Sequence, residues 1–154
     1  MKNGQIKVFR YLLILLTALT VGFIFTQSLL PKETSKKESD AVGDIIAEII
    51  PPDTPTGDYV QKHVRKIAHF VEFMALGAET ALYVIFFMKK KKLFALSYPI
   101  ALIIAFFDET IQIFSGRGPS VTDVWIDFSG FLFATLILYA VWGLVYLIKR
   151  KIRG

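Results

Sequence analysis

Two short segments hold most of the residues whose chemistry stands out: "VRKIAHFVE", 64–72, and "DETIQIFSGRGPSVTDVWID", 108–127. Arg65, His69, Glu72 and Glu79 are spaced i, i+4, i+7 and i+14, one stripe of a helix. Asp108, Glu109 and Gln112 share another stretch, and Asp123 and Asp127 are again i, i+4. His69 with Glu72 can form an oriented base, the acid fixing the imidazole tautomer. Glu72, Asp108, Glu109 and Asp127 cannot all ionise cheaply in one place, so they share protons or a counter-cation. Arg65 and Arg117, with Lys66 and Asp123 beside them, suit a phosphate or carboxylate. Catalytic candidates are therefore His69, Glu72, Asp108, Glu109, Gln112 and Asp127; substrate-binding candidates are Arg65, Lys66, Arg117 and Asp123.

The set is compatible with a carboxylate-rich Mg²⁺ or Mn²⁺ site. One His here and no cysteine argue against structural zinc, and neither metal ligands nor a cofactor are assigned. Ser115 and Ser120 have no neighbour that would activate them, and no Ser-His-Asp set is visible. A plainer reading competes: polar residues near helix ends also snorkel or bond neighbouring helices. Four acids, a His, a Gln and an Arg exceed what holding three helices together requires.

These residues interrupt long apolar blocks. The chain has 154 residues, 54% hydrophobic and 14% aromatic, a size that makes one domain, 1–154. Four blocks reach the roughly 20 residues a bilayer-spanning helix needs: about 9–30, 67–88, 93–114 and 124–148. The first lacks an Ala-x-Ala cleavage site and its apolar run is long for a signal peptide, so it reads as a retained span. The expected fold is all-α, a polytopic membrane protein of four transmembrane helices.

Orientation follows from basic residues. Lys2, Lys7 and Arg10, the "KKKK" link Lys89–Lys92, and Lys149, Arg150, Lys151 and Arg153 make eleven Lys or Arg without an acid. Four spans place all three segments on one side, the cytoplasmic one, with both termini. The net charge of +5 is thus a topology signal and gives no support to nucleic-acid binding.

Segment 31–66, six basic and seven acidic residues, faces out. "PKETSKKESD" is polar and turn-like, with Ser39 or Asp40 as N-cap for a short amphipathic surface helix over 41–50. Pro99 is expected to kink the third span, Asp123 to serve as an N-cap, and Trp125 to sit as an interfacial anchor. Gly77, Gly130 and Gly143 are candidates for close helix packing, within one bundle or between protomers.

At 1.5 Å per residue, His69, Glu72, Asp108, Gln112 and Asp127 all fall roughly 0–10 Å below the outer boundary of the hydrocarbon. Three helices deliver ionisable groups to one level, which implies a polar pocket open to the outside. Glu79 falls near the midplane.

At these residues the chain resembles the VanZ-like family of bacterial membrane proteins. The resemblance rests on "KIAHFVEFMALG" (66–77), "DETIQIFSGRGPSVTDVWIDFSG" (108–130) and, more loosely, "FTQSLLPKETSKKESD" (25–40). The family pattern falls on Lys66, His69, Glu72, Asp108, Glu109, Gln112, Arg117, Asp123 and Asp127, with loop serines matching Ser35 and Ser39. Asp127 stands where many members have Asn. The resemblance implies action at the cell envelope and a link to teicoplanin resistance; it implies no particular reaction. The expected protein sits in the cell membrane, with lipids and a lipid-linked wall precursor as partners; the oligomeric state stays open. The competing classes are a non-enzymatic adaptor or shield, and a small proton-coupled transporter subunit using Glu79.

Overall fold

The computed structural model describes residues 3–88 and 91–153. Lys2, Lys89 and Lys90, three of the basic residues that orient the chain, lie outside them. In order come α1 (Asn3–Leu29), α2 (Lys32–Ala47), α3 (Pro55–Phe87), a 3₁₀ segment (Lys91–Leu96), α4 (Ser97–Phe114) and α5 (Val121–Arg153). The described residues contain no strand. Four stretches, Gly4–Leu29, Pro55–Phe87, Phe94–Phe114 and Val121–Ile152, are long and apolar enough to cross a membrane. The expected all-α, four-span architecture is the one observed.

Three helices extend past the expected spans, α1 by its first six residues and α3 and α5 by more. α3 and α5 have 33 residues each, about 50 Å, against about 30 Å of hydrocarbon. α3 starts twelve residues early because its start is capped: Thr54 Oγ1 accepts from the Gly57 N–H at 3.0 Å, and Pro55 follows where a missing N–H costs nothing. Residues 32–40 are helical, which corrects the expected turn. Pro31 sets the entry (φ −54°, ψ 146°), no Gly or Pro follows until Gly43, and the Lys and Glu between favour helix. Ser39 and Asp40 therefore lie inside α2 and cap nothing; Ser39 Oγ donates to the Ser35 carbonyl at 2.9 Å. Pro99 is the third residue of α4, just past the change from the 3₁₀ segment to α-helix, where first-turn N–H groups have no α-helical partner.

α2 packs against the early turns of α3, where Gln61 Nε2 donates to the Gly43 carbonyl at 2.6 Å. Val42 and Ile45 of α2, and Ile49 just past its end, stay exposed, apolar surface of the kind a membrane accepts. α3 and α5 form the main helix pair, with α1 against α3 and α4, and α4 against α5. The pair is close because of two glycines. A Cβ at Gly77 would collide with the main chain of Phe131, and one at Gly130 with the Phe70 carbonyl. The contact is reciprocal and lies within one bundle. Gly143 has nothing within 4 Å of such a Cβ.

The core holds Ile24, Phe73, Leu76, Ala101, Ala105 and Phe131. Its outer surface is apolar too: Leu15 and Leu19 of α1, Ile103 and Phe106 of α4, and Leu144 and Leu147 of α5 are exposed. Apolar outside and acid inside is the arrangement lipid demands.

Gly130→Ala should lower thermal stability in detergent. Overpacking against backbone costs about 1–3 kcal/mol, only partly offset by about 1 kcal/mol of helix propensity. Gly143→Ala, with open space around it, should leave the melting temperature unchanged or raise it.

Candidate functional site

At the end of the bundle holding the α1–α2 and α4–α5 connections, the four spans turn polar residues inward. Asp108 and Asp127 are 0% exposed and His69 is 9% exposed. His69 Nδ1 lies 3.4 Å from Asp108 Oδ2 and 3.4 Å from Asp127 Oδ1, so one imidazole nitrogen sits between two carboxylates from different helices. The expected His69–Glu72 pair is replaced by these contacts. Three residues further along α3, Glu72 lines a groove with Leu19, Thr20 and Phe23 of α1.

Gln112 organises the α4 side. Its Nε2 donates to Asp108 Oδ2 at 3.2 Å and to Glu109 Oε1 at 2.6 Å, and its Oε1 accepts from Arg65 Nη2. Glu109 Oε2 accepts from the Ser120 N–H at 2.8 Å. Ser120, not Asp123, is the residue that caps α5, its Oγ accepting from the Asp123 N–H at 3.3 Å. With its backbone role gone, the Asp123 carboxylate meets Lys66 at 3.5 Å.

Arg117 is placed by the way α4 stops. Gly116 adopts φ +74°, and the N–H groups of Arg117 and Gly116 return to the carbonyls of Gln112 (3.0 Å) and Ile113 (3.3 Å), a Schellman ending. The guanidinium then reaches beneath the end of α1. Nη2 donates to the carbonyls of Gln27 (2.9 Å) and Ser28 (2.6 Å), Nη1 to Ser35 Oγ (3.0 Å) and Nε to Ser115 Oγ (3.0 Å). Four of its five N–H donors are thus taken by the fold. Burial, and next the charge of Arg65, hold its pKa below the ordinary arginine value, with Asp108 and Glu109 opposing them. Arg65 and Lys66 remain the cations nearer open space.

Sequence reasoning missed Ser28. It is fully buried and its Oγ donates to Asp108 Oδ1, making α1 the fourth helix at the cluster. One hydroxyl in an apolar run carries little signal. Its position near the end of the first span, at the level of the other polar residues, was the available clue. Lys62 and His63 were missed because their segment looked like connection, whereas α3 runs through it. Glu79 stands apart, bonded by Thr20 Oγ1 at 2.8 Å.

Two cavities of about 230 Å³ meet at Arg65 and His69. One is lined by Lys62, His63, Arg65, Lys66, His69, Asp123 and Ile126. The other lies between α1, α2 and α3 and includes Ser35, Ser39, Glu72 and Arg117. Glu72 and Phe23 join it to a more open groove of about 360 Å³ whose other walls are mostly apolar.

A sequence model of the VanZ/LLP1 family matches residues 10–145, nearly the whole chain including every residue of this cluster. The protein is a membrane protein by its four apolar helices, and it belongs to the VanZ/LLP1 family. No curated protein and no solved structure matches the chain.

Arg117→Gln should destabilise the fold by about 1–3 kcal/mol, because it strands the carbonyls of Gln27 and Ser28. Arg117→Lys should recover only part of this, since an ammonium cannot fork across two carbonyls. Chemical or thermal unfolding in detergent checks both.

Proposed function

We propose that this protein sits in the bacterial cell membrane with both termini in the cytoplasm, and that its polar pocket binds the anionic headgroup of an envelope lipid or lipid-linked wall precursor from the outside. The observation that carries this is the cavity above His69. Lys62, His63, Arg65 and Lys66 line it against a single acid, Asp123. Lys62, Arg65, Lys66 and His69 recur at i, i+3, i+4 and i+7 along one face of α3. Such a face attracts phosphate. The apolar groove reached through Glu72 is suited to the chain of the same lipid. Binding or altering wall precursors at that face would lower susceptibility to teicoplanin, which acts there.

Orientation rests on the basic segments that share the opposite end of the bundle. Because the chain has no cysteine, single cysteines report sidedness directly. Asp53→Cys should react with an impermeant maleimide in intact cells, and Ile152→Cys only after permeabilisation. The reverse pattern sinks the outward-facing pocket.

Headgroup binding is tested on protein purified in dodecyl maltoside. A polyprenyl phosphate or short-chain phosphatidylglycerol should raise the melting temperature, and short-chain phosphatidylcholine should not. The double change Lys62→Gln with Lys66→Gln should abolish the shift while leaving the apo melting temperature near wild type, since both lysines are substantially exposed. In a susceptible host the same double change should remove any teicoplanin tolerance that the wild type confers. Equal stabilisation by neutral and anionic lipids would favour an adaptor whose contacts lie elsewhere.

A further inference from the structure

We infer that His69, Asp108 and Asp127 form a binding site for one divalent first-row metal cation at the floor of the pocket. The three supply Nδ1, one Oδ of Asp108 and one Oδ of Asp127, all within 4.8 Å of one another and all buried. Each comes from a different helix, α3, α4 and α5.

The spacing points to a shared centre. Charge-assisted N–H···O bonds run about 2.7–2.9 Å. Both contacts of His69 Nδ1 are 3.4 Å, and Nδ1 makes no hydrogen bond within the protein. A cation bound at about 2.0–2.2 Å holds its ligand atoms roughly 3.0–3.6 Å apart. A single Nδ1–H, moreover, has one hydrogen to offer two carboxylates.

Asp127 supplies the independent observation. It is completely buried, yet neither carboxylate oxygen accepts a hydrogen bond. Asp108, equally buried, has Ser28 and Gln112 as donors. A buried carboxylate without donors is costly unless a cation meets it. Ser28 and Gln112 would then hold Asp108 in place as a metal ligand is usually held, by groups bonded to its other lone pairs.

One imidazole and two carboxylates suit Mn²⁺ or Zn²⁺ better than Ca²⁺, which takes oxygen ligands alone. Three protein ligands leave positions for water or for an anionic oxygen entering from the cavities that His69 also lines. Such a site differs from structural zinc, which is closed by four protein ligands.

The test uses full-length protein in dodecyl maltoside, stripped with chelator, with no lipid headgroup present. Mn²⁺ is titrated and free ion followed by electron paramagnetic resonance, with Zn²⁺ as competitor. Wild type should take up one ion per chain, saturably. Asp127→Asn should weaken uptake at least about 100-fold. This change removes a ligand charge without removing any hydrogen bond seen in the fold, and circular dichroism checks that the helices persist. His69→Gln provides a second route should Asp127→Asn misfold. Glu79→Gln, outside the cluster, should bind as wild type does. Absence of uptake by wild type, or uptake that Asp127→Asn and His69→Gln leave unchanged, overturns the proposal and leaves a proton-sharing cluster. Lipid binding is kept distinguishable by repeating the headgroup melts on the same chelator-stripped protein with no metal added.

Discussion

The rest of the structure depends on burying three ionisable side chains from three helices at one point inside an apolar bundle. Hydrocarbon offers no partner to a polar group, so His69, Asp108 and Asp127 have only one another and their protein neighbours. Breaking such a group by removing one member costs about 3–5 kcal/mol in buried sites, which fixes how α3, α4 and α5 meet. The glycine contacts serve the same geometry. Gly130 lies three residues after Asp127 and faces Phe70, the residue after His69, so the closest approach of α3 and α5 falls beside the cluster. A bulkier residue there would push against the Phe70 carbonyl, next in the chain to His69, and so against the helix that carries the imidazole.

Around that centre the support is unequal. Asp108 and Glu109 are held by Gln112, which Arg65 holds in turn, and Arg117 ties the loop after α4 to the end of α1. Asp127 has no donor, and neither does Glu72 Oε2. Polar atoms in a packed interior are ordinarily satisfied, so those left without partners mark where the molecule differs from a bundle built only for stability. Those of His69, Glu72, Asp123 and Asp127 lie at or beside the cavities and not along the α4 network, whereas Glu79 Oε2 and Tyr139 OH lie apart from them. The rigid half orients and the open half is available.

How far the sequence could be read follows from which forces are local. The spans were legible because apolar runs of 20 residues have few other uses, and the shared depth of His69, Asp108 and Asp127 followed from rise per residue alone. Residues 31–40 and 55–66 were harder: their polar composition suggested connection, but Lys and Glu propensity and the Thr54–Pro55 start carry helix through both. The identity of each partner was not legible. Glu72 shares a helix with His69 and looked like its orienting acid, yet the imidazole turns toward α4 and α5. Arg117 looked free to hold a ligand, and the αL turn at Gly116 directs it to the α1 carbonyls instead. Such pairings depend on how helices rotate about their axes, a choice made by the whole core.

The same rotation explains why the pocket ends where it does. Each helix of the cluster carries an apolar core residue about one turn nearer the bundle centre: Phe73 follows His69, Phe131 follows Asp127, Ile24 precedes Ser28 and Ala105 precedes Asp108. One turn is about 5 Å, so the polar level rests directly on a packed apolar layer. Charge crossing that layer would have to leave every partner it has at the cluster, at a cost of several kcal/mol per ion. Glu79 does not extend the polar level, because its bonded oxygen is held by Thr20 of α1, away from the cluster. A path open only at one end suits binding and chemistry at a surface better than passage through it. The burden of a transport reading falls on Glu79 alone, a single acid bonded to the Thr20 hydroxyl beside the groove that Glu72 lines.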